Sequence, residues 1–189
     1  GALLDAGEAE AAAALTEQAY GRAANMTELL GALRLAAYWQ LDCLEDLAAD
    51  FRKRANEHPL IVDLYFAARA GAPHQSTVEV IRALCDDPAF DRGNPNRVRA
   101  LLGSLALRNP VALHRADGQG YELLSAEIAK LVPVNDMVAA SLITPLLSFR
   151  RFDKARAARM RACLEELSAL PKLGAGMREK LDAALKAEE

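Results

Sequence analysis

Val98, Leu101, Leu102, Leu105 and Ala106 recur at i, i+3, i+4, i+7 and i+8, the spacing that gathers apolar groups on one stripe of a 3.6-residue helix. Just before the stripe, Asn94 can accept hydrogen bonds from the free amides of a first turn. Pro95 brings a preset φ and has no amide to leave unpaired, so the pattern predicts a helix opening at Pro95. The Asn-Pro pair returns at Asn109-Pro110 and predicts a second helical turn after a very short link. Asp117, Gly118 and Gly120 then interrupt the pattern until Tyr121 opens another apolar run.

The same periodicity extends through the rest of the chain. Residues 2–19 are alanine-rich and helix-compatible, but the stripe through Leu3, Leu4 and Leu15 is thin and implies a missing neighbour. Asn25 and Glu28 have the spacing of a capping box ahead of Leu29, Leu30, Leu33, Ala36 and Ala37. A helix from about Asp42 turns Leu44, Leu47, Ala48 and Phe51 inward, with Arg52, Lys53 and Arg54 at its C-terminal end, where positive charge complements the helix dipole. Pro59 begins a helix that is apolar almost all round, hence buried. Ser76 and Glu79 suggest a second capping box, with Val80, Ile81 and Leu84 facing inward. Further helices are expected over 121–131, over 136–147 with a kink or stop at Pro145, from Asp153 onward through Met160, Cys163, Leu164 and Leu167, and from Met177 to the end. No period-2 run of useful length intervenes. The expectation is an all-α chain of about ten helices forming a single domain over residues 1–189, an α-solenoid or superhelix of stacked antiparallel helix pairs.

Composition agrees with helices: 52% hydrophobic and 26% charged residues, only 5% aromatic, with alanine and leucine dominant. No apolar run approaches the roughly 18 residues that span a bilayer, and no secretion signal is visible, so a cytoplasmic setting without membrane contact is expected. Cys43, Cys85 and Cys163 are odd in number and lie within apolar helical patterns, as small core residues of a reducing compartment do. The net charge of −3 conceals an asymmetry. The first fifty residues are acidic, whereas Arg150, Arg151, Lys154, Arg156, Arg159 and Arg161 face Asp153 alone within one short segment.

The string Asn94-Pro95-Asn96-Arg97-Val98-Arg99, followed by Asn109-Pro110 and by His114-Arg115-Ala116-Asp117-Gly118-Gln119-Gly120-Tyr121, resembles the C-terminal helical domain of bacterial aminopeptidase N, a zinc metallopeptidase family. Similar short segments at Asn25-Met26-Thr27, Pro88-Ala89-Phe90, Thr144-Pro145-Leu146 and Arg151-Phe152-Asp153 carry the resemblance from about Asn25 to the last helix. It implies that the chain is the C-terminal part of a larger multidomain enzyme. There it would pack as a noncatalytic cap on the catalytic domain of the same polypeptide and wall a chamber that admits peptide substrates. The zinc and the general base would lie in that other domain, leaving this segment with no cofactor of its own. Arg97 and Arg99 match the family's pattern and are the expected chamber-lining residues, while Ser141 stands where members of the family carry a basic residue.

The residues by themselves supply no catalytic centre. His58, His74 and His114 are not at metal-ligand spacing and no H-E-x-x-H is present, so no metal site is expected. Gly118-Gln119-Gly120 follows no strand and is no dinucleotide loop. Arg97 and Arg99 are expected to protrude opposite the apolar stripe, where guanidinium groups could meet peptide carbonyls or carboxylates; the bland alternative is a pair of surface arginines held by nearby carboxylates. His114, Asp117 and Tyr121 form a candidate structural or interdomain loop. The basic segment offers Phe149 and Phe152 alone for stacking in an acidic chain, which argues against nucleic acid. It leaves as alternative a stand-alone helical-repeat scaffold that binds an acidic protein or peptide.

Overall fold

The computed structural model describes residues 6–186 as twelve α-helices and one 3-10 turn, with no strand among the described residues. The helices are α1 (Ala6–Arg22), α2 (Met26–Trp39), α3 (Leu44–Ala55), α4 (Pro59–Ala70), α5 (Thr77–Cys85), α6 (Pro95–Arg108), α7 (Pro110–Leu113), α8 (Gln119–Leu131), α9 (Asp136–Leu142), α10 (Thr144–Leu147), α11 (Lys154–Ser168) and α12 (Ala175–Lys186), the 3-10 turn being Phe149–Arg151. The count exceeds ten because α7 is separate from α6 and because the run over 136–147 breaks. Pro145 has no amide to donate into a continuing helix, so α9 stops at Leu142 and a new turn starts at Thr144 with Pro145 in its first positions.

Two layers follow from which helices touch. α2, α4, α6, α9 and α12 lie side by side in one layer, each against the next. On the other layer α3 and α5 pack on α4, α8 on α9, and α11 on α12, while α1 covers α2. This is the nearest-neighbour stacking of a helical solenoid, and one continuous core runs through it. In its centre Val98, Leu101, Leu102 and Leu105 of α6 are fully buried, as their spacing requires.

Several local expectations change. Leu3 and Leu4 lie outside the described residues, and Leu15 is 66% exposed; α1 instead buries Thr16 and Tyr20, the latter donating its hydroxyl to Asp50 at 3.0 Å. The Asn25 box forms, its Oδ1 accepting from the amides of Thr27 and Glu28 while Glu28 reaches back to the amide of Ala24 at 2.7 Å. The Ser76 box does not form. The Ser76 hydroxyl turns to His74 at 2.7 Å, Glu79 is drawn to Arg115, and α5 buries Thr77, Val78, Ile81 and Leu84.

Candidate functional site

Asn94 caps α6 as its sequence requires, its Oδ1 accepting from the amides of Asn96 at 3.0 Å and Arg97 at 3.3 Å. The two arginines that follow part company. Arg97 does not protrude: it is 7% exposed, and its Nε donates to Asp63 Oδ1 at 2.5 Å in the seam between α4 and α6. The other guanidinium nitrogens donate to the carbonyls of Ala89 and of Pro59, the latter at 3.4 Å, and the plane lies 5.3 Å from the Phe66 ring. Helix geometry gives the reason. Position 97 sits one turn before Leu101 and so continues the buried stripe, whereas position 99 is about 200° round the axis and faces out. Arg99 is exposed, so the expectation of a protruding side chain holds for it alone.

Asp63, which no motif flagged, is the partner that makes this arrangement possible: the lone carboxylate of α4 is the trace it leaves in the sequence. A buried ion pair needs its remaining donors satisfied, and here two backbone carbonyls and an aromatic face do so. Asn109 holds the other end of the seam. It is 1% exposed, its Nδ2 donates to the carbonyls of Ala70 at 2.9 Å and Ala72 at 2.7 Å, and its Oδ1 accepts from Ala112. Since Asp63 meets Arg97 near both helix starts and Ala70 meets Asn109 near both ends, α4 and α6 run parallel.

The second candidate group is brought together around the link from α7 to α8. His114 and the Tyr121 hydroxyl share a hydrogen bond of 2.9 Å, the imidazole stacks on Phe152 with centroids 4.4 Å apart, and Arg156 of α11 donates to the His114 carbonyl at 3.0 Å. Burial lowers the His114 pKa below its ordinary 6.5, with the nearby Arg156 charge adding to the effect, and burial raises that of Tyr121. Asp117 is not in that knot. It accepts from Arg115 at 2.6 Å and from the Gln119 amide at 3.1 Å, while Arg115 spans to Glu79 at 2.6 Å, and both carboxylates are held below their usual range, by the Arg115 hydrogen bond in each case. Gly118 adopts φ 81°, which glycine tolerates. Gly120 serves a different need, since a Cβ there would run into the carbonyls of Ala112 and Leu113. The loop thus ties α5, α7, α8 and α11 together.

Most cations of the basic segment are already engaged. Arg150 donates to the Ala184 carbonyl at 2.9 Å, Arg156 pairs with Asp153 at 2.7 Å, Arg161 with Glu165 at 2.8 Å, and Arg159 lies 3.8 Å from Glu122. Arg151 and Lys154 are exposed. The three cysteines are buried and free, burial pushing the thiol of Cys85 up to about 12 and that of Cys163 to about 11, so neither is a thiolate nucleophile at neutral pH. Among the described residues no three His, Cys, Asp or Glu side chains are grouped to hold a metal, and no helix is long and apolar enough to cross a membrane.

Comparison with known proteins places this geometry. Residues 1–186 match a family described as a domain of unknown function with ARM repeats, DUF3458_C. The chain is 40% identical over 171 residues to aminopeptidase N of Haemophilus influenzae, covering 90% of this chain and 20% of that protein. It is 36% identical over 179 residues to aminopeptidase N of Escherichia coli, covering 95% and 21% respectively. Among solved structures, Legionella pneumophila aminopeptidase A, crystallised with aspartic acid, superposes with a TM-score of 0.82 at 27% identity over 95% of this chain and 21% of that one. The chain therefore spans about a fifth of the length of the relatives it matches.

Proposed function

This chain belongs to the DUF3458_C family of ARM-repeat domains, and from that premise we propose that it is the noncatalytic C-terminal cap of a zinc-dependent aminopeptidase of the N type. The observation that carries the proposal is coverage: 90–95% of the chain aligns with one fifth of two bacterial aminopeptidases N. The parent enzyme removes single residues from peptide N-termini. The zinc, its ligands and the general base would belong to the catalytic domain of the longer polypeptide, as the resemblance to aminopeptidase N implies. This segment packs on that domain, walls the chamber and excludes bulk water from it. Three buried thiols and the absence of a disulfide suit a cytoplasmic enzyme.

Within that frame Arg99 is the peptide-facing residue. Arg97 supports it from below by locking α6 to α4, so that the first turn of α6, and with it Arg99, is held rigidly. An exposed guanidinium on a fixed helix start offers charge-assisted hydrogen bonds to the carbonyls or the C-terminal carboxylate of a peptide. The alternative of a stand-alone scaffold docking an acidic partner through the basic helix draws less support, since Arg150, Arg156 and Arg161 are occupied internally.

The test uses the full-length polypeptide with a dipeptide and with a longer peptide. Arg99→Ala is expected to lower kcat/KM on the longer peptide by about tenfold, the scale of one charge-assisted hydrogen bond, and to leave the dipeptide unchanged. Equal kinetics on both substrates would return Arg99 to the surface. Alanyl-substrate hydrolysis by the 189-residue chain with added zinc would overturn the noncatalytic assignment.

A further inference from the structure

Near their C-terminal ends α2 and α4 leave between them a cavity of about 220 Å³. On the α2 side stand Arg34 and Tyr38, one turn apart and therefore on one face of the helix. On the α4 side the wall is made of Ala67, Ala68, Gly71 and Pro73, whose short or cyclic side chains leave the space open. Polar groups of both walls are unused. Arg34 and Tyr38 are exposed, and neither side chain has a hydrogen bond or an ion pair among the described residues. Of the last carbonyls of α4, that of Ala67 accepts from the Gly71 amide at 3.0 Å and that of Ala70 from Asn109 at 2.9 Å. The Ala68 carbonyl, in a residue only 5% exposed, accepts nothing among the described residues. It lies beside Gly71, at the negative end of the α4 dipole.

We propose that this cavity binds a single free α-amino acid with an apolar side chain, its carboxylate on Arg34 and its ammonium on the Ala68 carbonyl. Each end of the ligand meets the charge it needs. A guanidinium offers a carboxylate two parallel N–H donors, and an ammonium at a helix C-terminus gains both the unsatisfied carbonyl and the dipole. No other charged residue lines the cavity, so the side chain has to be apolar and rests on the alanines and the Tyr38 ring. Size sets the rest: cavities that take larger ligands run from roughly 300 to 1,000 Å³, and this one is smaller. A carboxylate alone, such as the last residue of a peptide brings, would leave the end of the α4 dipole without a cation. Single amino acids are also what the enzyme proposed above releases. That the cavity would hold product rests on that reading, whereas the site itself does not.

Saturation-transfer NMR of leucine, on the full-length polypeptide and on the 189-residue chain, decides the matter, the difference between wild type and Arg34→Gln isolating the cavity from any other site. Leucine should bind the wild type with a Kd on the order of 1 mM, and Arg34→Gln should weaken it about tenfold. Arg34 is exposed, so the variant should keep its thermal midpoint, and Arg108→Gln, at an exposed arginine of α6 outside the cavity, should leave binding unchanged. N-acetyl-leucine, which lacks the ammonium, and leucinamide, which lacks the carboxylate, should each bind at least about fivefold more weakly than leucine. Ala67→Leu, which fills the cavity and keeps Arg34, should abolish the leucine signal. Equal leucine binding in wild type and Arg34→Gln would overturn the proposal, as would no saturation below about fifty times the expected Kd. N-acetyl-leucine binding as tightly as leucine would overturn it in favour of peptide C-termini. Arg34-dependent binding confined to the short chain would also overturn it, by showing the cavity closed in the longer polypeptide. A full-length protein without peptidase activity whose leucine binding depends on Arg34 would refute the enzymatic assignment alone, and an active one whose leucine binding ignores Arg34 would refute this site alone.

Discussion

The α4–α6 seam and the segment 150–161 are both places where arginine meets structure, with opposite results. In the seam one guanidinium is almost wholly enclosed and binds Asp63, two backbone carbonyls and the Phe66 face. In the basic segment six cations are spread around the 3-10 turn and α11, and all but Arg156, which also reaches the half-buried His114 carbonyl, meet an acceptor at the surface or face water. The difference is one of helical phase. Arg97 lies on the stripe that Leu101 and Leu105 continue, so it is buried together with them and must be paired. Lys154, Arg159 and Arg161 lie off the stripe of Met160, Cys163, Leu164 and Leu167, so water can replace a lost partner, whereas Arg156, one turn before Met160, is half-buried and donates to the His114 carbonyl. Truncating one buried partner should therefore cost more than truncating an exposed one.

The strongest way to break that comparison is to truncate the buried member. Arg97→Ala leaves Asp63 enclosed without its counter-charge and should destabilise the chain by about 3–5 kcal/mol, measured as a shift of the urea denaturation midpoint. Arg97→Lys should recover little, because an ammonium cannot reproduce the fork that serves a carboxylate and two carbonyls together. Removing both charges in Arg97→Met with Asp63→Leu should recover much of the loss. A double variant as unstable as Arg97→Ala would show that the hydrogen bonds to Ala89 and Pro59, rather than the uncompensated carboxylate, hold the seam. Leu101→Ala and Leu105→Ala, in the apolar part of the same stripe, should each cost about 2–5 kcal/mol through the cavity they leave. If both midpoints stay put, the stripe does not face the core.

Much of this was legible in the sequence, and what was missed has identifiable physical causes. Periodicity located every long helix, since burial of one face is what the 3.6 spacing records. Asn94 and Asn25 announced their caps because a short side chain before a helix has one productive use. Ser76 followed the same rule and fails it: a nearby imidazole and the long reach of Arg115 compete for Ser76 and Glu79, and no local pattern encodes a partner 36 residues away. Arg97 was misplaced because charge was taken as a sign of exposure; its phase relative to Leu101 held the answer. Leu15 agrees with its pattern, since the thin stripe implied a missing neighbour and the residue is 66% exposed. The His114, Tyr121 and Phe152 knot joins residues up to 38 apart in sequence, and only the fold brings Phe152 to the other two.

A gentler probe of the basic side is pH. His114 has its folded pKa lowered below 6.5, so the unfolded chain takes up a proton first as the pH drops. Its contribution is fully present above about pH 6.5 and is lost as the pH falls from there toward the folded value. Asp50, Glu79, Asp117 and Asp153 are also lowered, but from ordinary values of 3.8 to 4.5, which leaves the interval between pH 5 and 6.5 to histidine. His114→Gln should therefore lose less stability than the parent on going from pH 7.5 to 5. Equal losses would show that His114 does not carry the pH dependence.

The smallest effect is expected at the far end of the comparison. Arg159 and Glu122 face each other at 3.8 Å across α11 and α8 with side chains 47% and 62% exposed. At that separation and exposure, water and salt screen nearly all of the attraction, and Arg159→Ala should move the denaturation midpoint by less than about 0.5 kcal/mol. Its stem also lies over Gly118, so the variant tests whether that contact matters apart from the charge. Arg159→Met keeps the stem and drops the charge. If the alanine variant loses more than about 1 kcal/mol while the methionine variant does not, packing over the Gly118 turn supplies the stability there. If both lose it, the surface pair behaves like the buried one, and helical phase does not separate the two regions.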